Sequence, residues 1–73
     1  MHSVRGVITA VQEGRFRLLT DSGQVLLFVL SYKAATEPQD LPLLKITAAH
    51  VKVECVVSDR LIAAVAHRIQ IEE

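Results

Sequence analysis

Residues 15–20 alternate between apolar and polar side chains, with Phe16 and Leu18 separated by Arg15 and Arg17. Successive side chains of a β-strand point to opposite faces, so this alternation is typical of a strand with one buried face. We therefore predict a strand here, the second of the chain, with Phe16 and Leu18 inside and the two arginines outside.

Residues 51–57 show the same alternation and form the fourth predicted strand. The side chains predicted to point inward are Val53, Cys55 and Val57, and those predicted to point outward are Lys52 and Glu54. A strand with this pattern buries one face in a core and leaves the other face in water.

Two further strands are predicted from apolar runs that are bounded by turn residues. Residues 4–11 are mostly β-branched or small, and they lead into the polar turn 12–14, where Gly14 can adopt a positive φ. Residues 25–30 follow the turn 21–23 and are apolar throughout. A short apolar run without alternation favours a central strand that is covered on both faces.

Between residues 31 and 50 the pattern changes. Residues 37–42 contain both prolines of the chain and indicate a loop, and Asp40 is placed to cap a short helical turn through Leu43 to Ile46. We predict that this segment covers one end of the molecule.

The segment from Leu61 to Ile71 fits two patterns. Its apolar residues fit a helical stripe and its alanines favour a helix, but alternation along the same residues fits a strand equally well. We favour the strand, because residues 58–60 are short enough for a hairpin loop that pairs it with the fourth strand. The result is an all-β fold, a small five-stranded antiparallel OB-like barrel with a short helical turn between strands 3 and 4.

Composition indicates a single packed domain that spans residues 1–73. Hydrophobic residues make up 51% of the chain, which is more apolar surface than a disordered segment carries. Three aromatic residues are present, so the core must be built mainly from aliphatic side chains. Eight basic residues balance eight acidic ones, which excludes the strong positive field of many nucleic-acid-binding proteins and leaves room for local basic patches alone.

The N-terminus lacks the apolar region of a signal peptide, and no apolar run reaches the roughly 18 residues of a membrane span. The single cysteine, Cys55, excludes a disulfide framework within the chain and fits a reducing compartment. We therefore expect a cytoplasmic protein without a membrane partner.

Three segments fall in the order and approximate spacing of a cold-shock domain, and the chain resembles that family over its whole length. They are residues 6–8, residues 13–18 and residues 28–31. The resemblance implies a five-stranded OB barrel that binds single-stranded RNA or DNA. In that family, the second strand carries a Lys-Gly-aromatic-Gly-Phe-Ile motif whose aromatic side chains stack on bases.

In this chain, Gly14 and Leu18 match that motif, while the two outward aromatic positions are occupied by Arg15 and Arg17. On the third strand, Phe28 matches an aromatic contact of the family. Residues 51–55, followed by residues 61–65 and 66–69, also resemble the last hairpin of diverse bacterial OB-like domains without assigned function. The resemblance therefore implies the barrel and suggests a changed binding surface.

The second and third strands and the start of the following loop supply the residues that we predict to bind nucleic acid: Arg15, Arg17, Phe28, Tyr32 and Lys33. Arginine can pair with phosphates or stack on bases, and single-strand binders combine such residues with aromatic rings. If Phe28 lies on the outer face with Leu26 and Leu30, the arginines border an apolar patch that suits a base or a partner protein. The alternatives are an ordinary solvated strand face and, for Tyr32, a ring that closes the barrel mouth.

Neither metal binding nor catalysis is expected. The three histidines and Cys55 are not paired at the short spacings of zinc sites, and Cys55 alternates with core positions as a buried thiol does. The sequence contains no nucleophile elbow, phosphate-binding glycine loop or paired-carboxylate arrangement. We therefore expect a protein that is not an enzyme and uses no cofactor.

Two functions remain. The first is a module that binds single-stranded RNA or DNA through the face of strands 2 and 3. The second is a protein-interaction or homo-oligomeric assembly module without nucleic-acid binding. Its predicted interface is formed by outward Leu19, Leu26, Phe28 and Leu30.

Overall fold

The computed structural model describes residues 2–56 and 63–72 and contains, within them, five strands and one short α-helix. The strands are β1 (His2–Gln12), β2 (Arg15–Thr20), β3 (Val25–Leu30), β4 (His50–Val56) and β5 (Ala64–Ile71), and α1 (Leu41–Ile46) follows a 3-10 turn at Pro38–Asp40. The last segment is a strand, as its alternation favoured. The predicted hairpin loop 58–60 and the predicted inward residue Val57 lie outside the described residues.

The five strands close into a barrel in the order β1-β2-β3-β5-β4, with β4 returning to β1. This confirms the small all-β, OB-like barrel with a short helix between β3 and β4. One pairing departs from the antiparallel expectation, because β3 and β5 run parallel over residues 28–30 and 64–66. Parallel neighbours need a long connection, and here α1 and β4 lie between them in the chain.

The core is built from the inward faces of all five strands and from the first residue of α1. The buried side chains are Ile8, Phe16, Leu18, Phe28, Leu30, Leu41, Val51, Val53, Cys55 and Ala66. The inward positions predicted for Phe16, Leu18, Val53 and Cys55 are therefore confirmed. Phe16 and Phe28 lie opposite each other on β2 and β3, and their ring centroids are 5.2 Å apart.

The predicted faces of β3 are wrong. Phe28 is 1% exposed and Leu30 is buried, so they do not lie on the outer face with Leu26, which packs partly against the core. The outward residues of β3 are those opposite outward residues of β2: Val25 opposite Leu19, Leu27 opposite Arg17 and Val29 opposite Arg15. Leu27 is 39% exposed, so β3 is covered on its inner face alone and the expectation of two covered faces is also wrong.

A bulge in β5 explains why the last segment fits two patterns. Arg68 pairs with Glu54 and Ala66 pairs with Cys55, so His67 is an extra residue on its strand. The alternation therefore changes phase at His67, and neither a simple strand period nor a simple helix period describes the whole segment.

Gly6 lies where the pairing partner of β1 changes from β4, which pairs with residues 2–7, to β2, which pairs with residues 6–12. It pairs with Val51 on one side and with Thr20 on the other, so both neighbouring backbones approach it. A Cβ built on Gly6 would lie 2.1 Å from the carbonyl oxygen of Leu19. Glycine is therefore required here, because no other residue leaves room for this close approach.

The turn 12–14 places its positive φ at a different residue from the one expected. Glu13 has a φ of 56°, whereas Gly14 does not have a positive φ. The left-handed conformation favours glycine, so the turn holds Glu13 in a conformation that its side chain disfavours. In the turn 21–23, Gly23 has a φ of 90° and meets the same requirement without strain.

The short helix has a capping motif at its C-terminal end and no side-chain cap at its N-terminal end. Asp40 lies at the N-cap of α1, as predicted, but its side chain accepts a hydrogen bond from the N–H of Glu37 rather than from the helix. At the other end, Ala48 has a φ of 51°, and the N–H of Ala49 donates to the carbonyl of Leu44. This is a Schellman motif with alanine at the position where glycine is usual.

Among residues 2–56 and 63–72, no helix is long and apolar enough to cross a membrane.

Candidate functional site

The outer face of β1, β2 and β3 carries the predicted arginines. Arg15 and Arg17 point outward from β2 and are exposed, as their alternation with Phe16 and Leu18 predicted. Cross-strand partners share one face of a sheet. Two rows of such partners cross the three strands: Ala10, Arg17 and Leu27 form one, and Gln12, Arg15 and Val29 form the next.

A cleft of about 430 Å³ lies on this face, and we call it the arginine cleft. Its lining consists of the outward residues Ala10, Gln12, Arg15, Arg17 and Leu27 and of two inward residues, Val11 and Phe16. Ala10 pairs with Arg17, so a small side chain lies beside a long one on neighbouring strands. The cleft is therefore concave and carries both cationic and apolar groups.

The position of Ala10 depends on a bulge in β1. Ile8 pairs with Leu18 and Ala10 pairs with Arg17, so Thr9 is an extra residue without a partner on β2. A bulge bends its strand and redirects the side chains that follow. The bulge thus places Ala10 on the outer face, two positions after the inward Ile8.

The charges of Arg15 and Arg17 are not neutralised by a carboxylate within the described part of the chain. The ion pairs found there join Arg5 Nε to Glu72 at 2.8 Å and His50 Nε2 to Asp21 at 2.9 Å, the latter when the imidazole is protonated. A guanidinium keeps its charge across the physiological pH range and presents five N–H donors. Two sets of donors are therefore available to a ligand in the cleft.

Tyr32 and Lys33 follow β3 and lie near the start of β2. The N–H of Leu30 donates to the carbonyl of Gly14 at 2.7 Å, which holds the end of β3 beside the residue that precedes Arg15. Tyr32 is 91% exposed, so the alternative in which its ring closes the barrel mouth is wrong. The Nζ of Lys33 lies 5.7 Å from the centre of that ring, within range of a cation–π contact.

Phe28 is not part of this surface. Its ring stacks on that of Phe16 inside the barrel, with an angle of 20° between the ring planes. A base needs an accessible ring face to stack on, and this ring has none. The outward position of β3 opposite Arg17 is occupied by Leu27.

The same face continues toward the turn 21–23 as a row of aliphatic side chains. Leu19 and Val25 lie opposite each other and are 41% and 62% exposed. Val7 of β1 pairs with Leu19 and is partly buried. We call Val7, Leu19 and Val25 the aliphatic row. It adjoins the row of Arg17 and Leu27, because residues two apart on a strand face the same side.

A second cavity, of about 620 Å³, is lined by residues of β1, β3, β4 and β5, among them Val4, Leu26, Phe28, Cys55 and Ala64. Burial raises the pKa of the Cys55 thiol above its ordinary value, so the thiol is protonated at neutral pH. A protonated thiol is a poor nucleophile.

In the described residues, no group of three or more His, Cys, Asp or Glu side chains is placed to hold a metal ion.

Comparison with protein-family models finds no match to this sequence, and no curated protein matches it significantly. The function is therefore inferred from the arginine cleft and its surroundings. Alternation identified Arg15 and Arg17, but sequence reasoning missed Ala10, Gln12 and Leu27. The bulge at Thr9 leaves no signal in β1, because the residues around it are nearly all small or apolar, and a continuous apolar run such as β3 does not show which of its residues face outward.

Proposed function

We propose that the protein is a small non-enzymatic module that binds single-stranded RNA or DNA along the outer face of β2. The observation that carries the proposal is the arginine cleft, where two exposed arginines, without carboxylate partners among the described residues, border a concave surface. The corresponding face of OB-fold barrels is a common binding site for oligonucleotides, and the resemblance to cold-shock domains supports the same ligand.

The spacing of the arginines suits a polyanionic chain. Arg15 and Arg17 are two residues apart on one strand, so their α-carbons are about 7 Å apart. Each guanidinium can donate two parallel hydrogen bonds to one phosphate, so the pair can hold phosphates of neighbouring nucleotides. Arg17 can also lie flat against a base, as arginine does in other single-strand sites.

The floor of the cleft suits a base rather than a phosphate. The methyl group of Ala10 and the side chain of Leu27 offer apolar contacts to the flat face of a base. The amide of Gln12 has both a donor and an acceptor for the edge of that base. Aliphatic packing replaces the aromatic stacking of cold-shock domains, so we expect weaker binding and little dependence on base sequence.

Tyr32 and Lys33 extend the surface beyond the end of β3. The exposed Tyr32 ring is the aromatic group that can stack on a base at this end of the barrel. With Lys33 and the two arginines, the chain contacts about three phosphates. We therefore expect the logarithm of the association constant to fall with the logarithm of salt concentration with a slope of about −2.

Fluorescence anisotropy with labelled single-stranded RNA and DNA of about 12 nucleotides, at low and physiological salt, tests the proposal. The double variant Arg15→Gln, Arg17→Gln is expected to weaken binding by at least about tenfold, because it removes two charge-assisted contacts to phosphate. The double variant Lys52→Gln, Arg68→Gln is the matched control, since it removes the same charge from β4 and β5. We expect the control to change binding by less than about twofold at physiological salt.

Two results would contradict the proposal. One is that the unmodified protein fails to bind either oligonucleotide at low salt. The other is that both double variants lose affinity equally, which would show that net charge and not the cleft determines binding.

A further inference from the structure

We propose that the aliphatic row and the charged residues on either side of it form a self-complementary interface for a second copy of this chain. The aliphatic row consists of Val7, Leu19 and Val25, and the charged residues are Arg17 and Asp21. This proposal goes beyond nucleic-acid binding and does not depend on it.

The first argument is the exposure of neighbouring aliphatic side chains on one sheet face. Leu19, Val25 and Leu27 lie on two adjacent strands, and each is more than a third exposed. Single exposed apolar residues are ordinary on a protein surface, but a contiguous apolar patch marks a contact surface. In a domain this small, leaving such side chains in water also lowers an already thin stability margin.

The second argument is the order of charges along β2. Its outward positions are positive at Arg15 and Arg17 and apolar at Leu19, and the next outward position is the negative Asp21. Asp21 continues the line of the strand, since its N–H donates to the carbonyl of Arg5 on β1 at 3.0 Å. Its side chain is 60% exposed although it contacts His50. Leu19 is therefore the midpoint between a positive and a negative residue.

This order of charges is matched by a second copy in one orientation. A two-fold axis along the aliphatic row places the copies face to face and reverses the strand direction of one relative to the other. Leu19 then packs on the partner's Leu19, and Arg17 lies over the partner's Asp21. The dimer gains an apolar centre with a charge pair on each side. The net charge of zero adds no long-range repulsion between the copies.

A nucleic acid is a poorer match for this part of the face. Its phosphates are all negative and would be repelled by Asp21, whereas a second copy offers an arginine there. A copy seated in this way also covers Arg17, so dimerisation and binding at the arginine cleft compete for that residue.

Sedimentation velocity of the full chain without nucleic acid, at roughly 1 µM to 1 mM protein, tests the proposal. We expect a reversible monomer–dimer equilibrium within this range. The double variant Leu19→Gln, Val25→Gln is expected to raise the dissociation constant by at least about tenfold, because it removes the apolar centre. The matched control is Leu43→Gln, Ile46→Gln, which changes a leucine and a β-branched residue at exposed positions of α1. We expect the control to leave the dissociation constant within about twofold.

A charge exchange tests the orientation. Arg17→Asp and Asp21→Arg, each made alone, place like charges together and are expected to raise the dissociation constant by about fivefold or more. The combined variant restores opposite charges with the signs reversed, so we expect it to recover most of the loss. Circular dichroism of every variant checks that the barrel is folded.

Three results would overturn the proposal: a monomer over the whole concentration range, equal effects of the two glutamine double variants, or no recovery in the combined charge variant. Because nucleic acid is left out, these outcomes are distinct from a failure of the proposed function. A protein that dimerises, but binds no oligonucleotide at concentrations where it is monomeric, supports the interface and contradicts nucleic-acid binding.

Discussion

The two outer faces of the barrel wall differ in how their charges are arranged. On β4, β5 and the start of β1, charges of both signs stand on neighbouring strands, with Glu54 opposite Arg68 and Arg5 bound to Glu72. On β2, β3 and the end of β1, the two arginines of the cleft stand among aliphatic side chains, and no described carboxylate pairs with them. The first face mixes charges of both signs and contains the Arg5–Glu72 ion pair, whereas the second leaves two arginines and exposed aliphatic side chains to be matched by another molecule.

Net charge is therefore a poor guide to the surface of this protein. Eight basic and eight acidic residues cancel over the whole chain. A ligand responds to the charges within about 8–10 Å at physiological salt, because more distant charges are screened. The balanced composition therefore argues against strong long-range attraction and leaves the local character of the β2 face intact.

The inner and outer residues of β3 are expected to differ most in their contribution to stability. Phe28→Ala is expected to lower the free energy of unfolding by about 3–5 kcal/mol, because it removes a buried ring that stacks on Phe16. Leu27→Ala, at the neighbouring outward position, is expected to cost less than about 1 kcal/mol. Urea denaturation measures both values. Equal losses of stability would mean that Leu27 is buried, and the outer face of β3 would then lack this exposed apolar side chain.

Gly6 joins the two faces, since β1 leaves β4 and enters β2 at this residue. Gly6→Ala is expected to cost about 2–4 kcal/mol, because the new methyl group would meet the backbone at Leu19. The control is Gly14→Ala, where a Cβ meets nothing within 4 Å and φ is not positive. We expect that control to change stability by less than about 1 kcal/mol in thermal denaturation. A large loss of stability in the control alone would contradict the close approach of the Leu19 backbone to Gly6.

The inner side of β4 is tested by the pH dependence of stability through Cys55. Its pKa is raised by burial in the folded protein, so the unfolded chain loses the thiol proton at lower pH. The stabilisation by the neutral thiol is therefore fully present below the ordinary pKa of cysteine and is lost as pH rises toward the raised value. The unfolding free energy of the native protein should therefore fall relative to that of Cys55→Val above pH about 8.5. A difference that stays constant up to pH about 10 would show that the thiol is not held in an apolar site.

Glu13 lies in the turn that joins β1 to β2, two residues before Arg15. Glu13→Gly is expected to stabilise the protein by about 1 kcal/mol, because glycine adopts the positive φ of this turn without strain. Glu13→Ala keeps a Cβ and removes the same charge, so it should bring no such gain. Thermal denaturation of the two variants separates the conformational effect from the electrostatic one. A similar gain in both would assign the effect to charge.

The smallest expected effect compares the charges of the two faces directly. A double-mutant cycle on Arg5 and Glu72 should give a coupling of about 0.5 kcal/mol that decreases with salt, since both side chains are partly exposed. Arg17→Ala should change the free energy of unfolding by less than about 0.5 kcal/mol, because Arg17 has no charged partner among the described residues. A larger loss of unfolding free energy at Arg17 than at Arg5 would contradict the conclusion that Arg5 has a charged partner and Arg17 has none among the described residues.

The arginine cleft was half predictable from the sequence. The outward direction of Arg15 and Arg17 follows from two strictly alternating neighbours, Phe16 and Leu18, which have no other place than the core. The other walls of the cleft belong to strands with a bulge or without alternation. The pairing of β1 and β3 with β2 determines which of their residues point outward, and their own sequence pattern does not.

The strands β2 and β4 could be predicted from the sequence alone, because their polar and apolar residues alternate, and so could the turn 21–23, where Gly23 has a positive φ. Alternation carries both the presence of a strand and the direction of each side chain, because a strand reverses its side chains at every residue. The tertiary structure alone decided which face of β3 is buried, since six successive apolar residues fit the core equally well in either phase. It also decided the role of Gly6, because the need for a missing Cβ arises from a backbone thirteen positions away at Leu19.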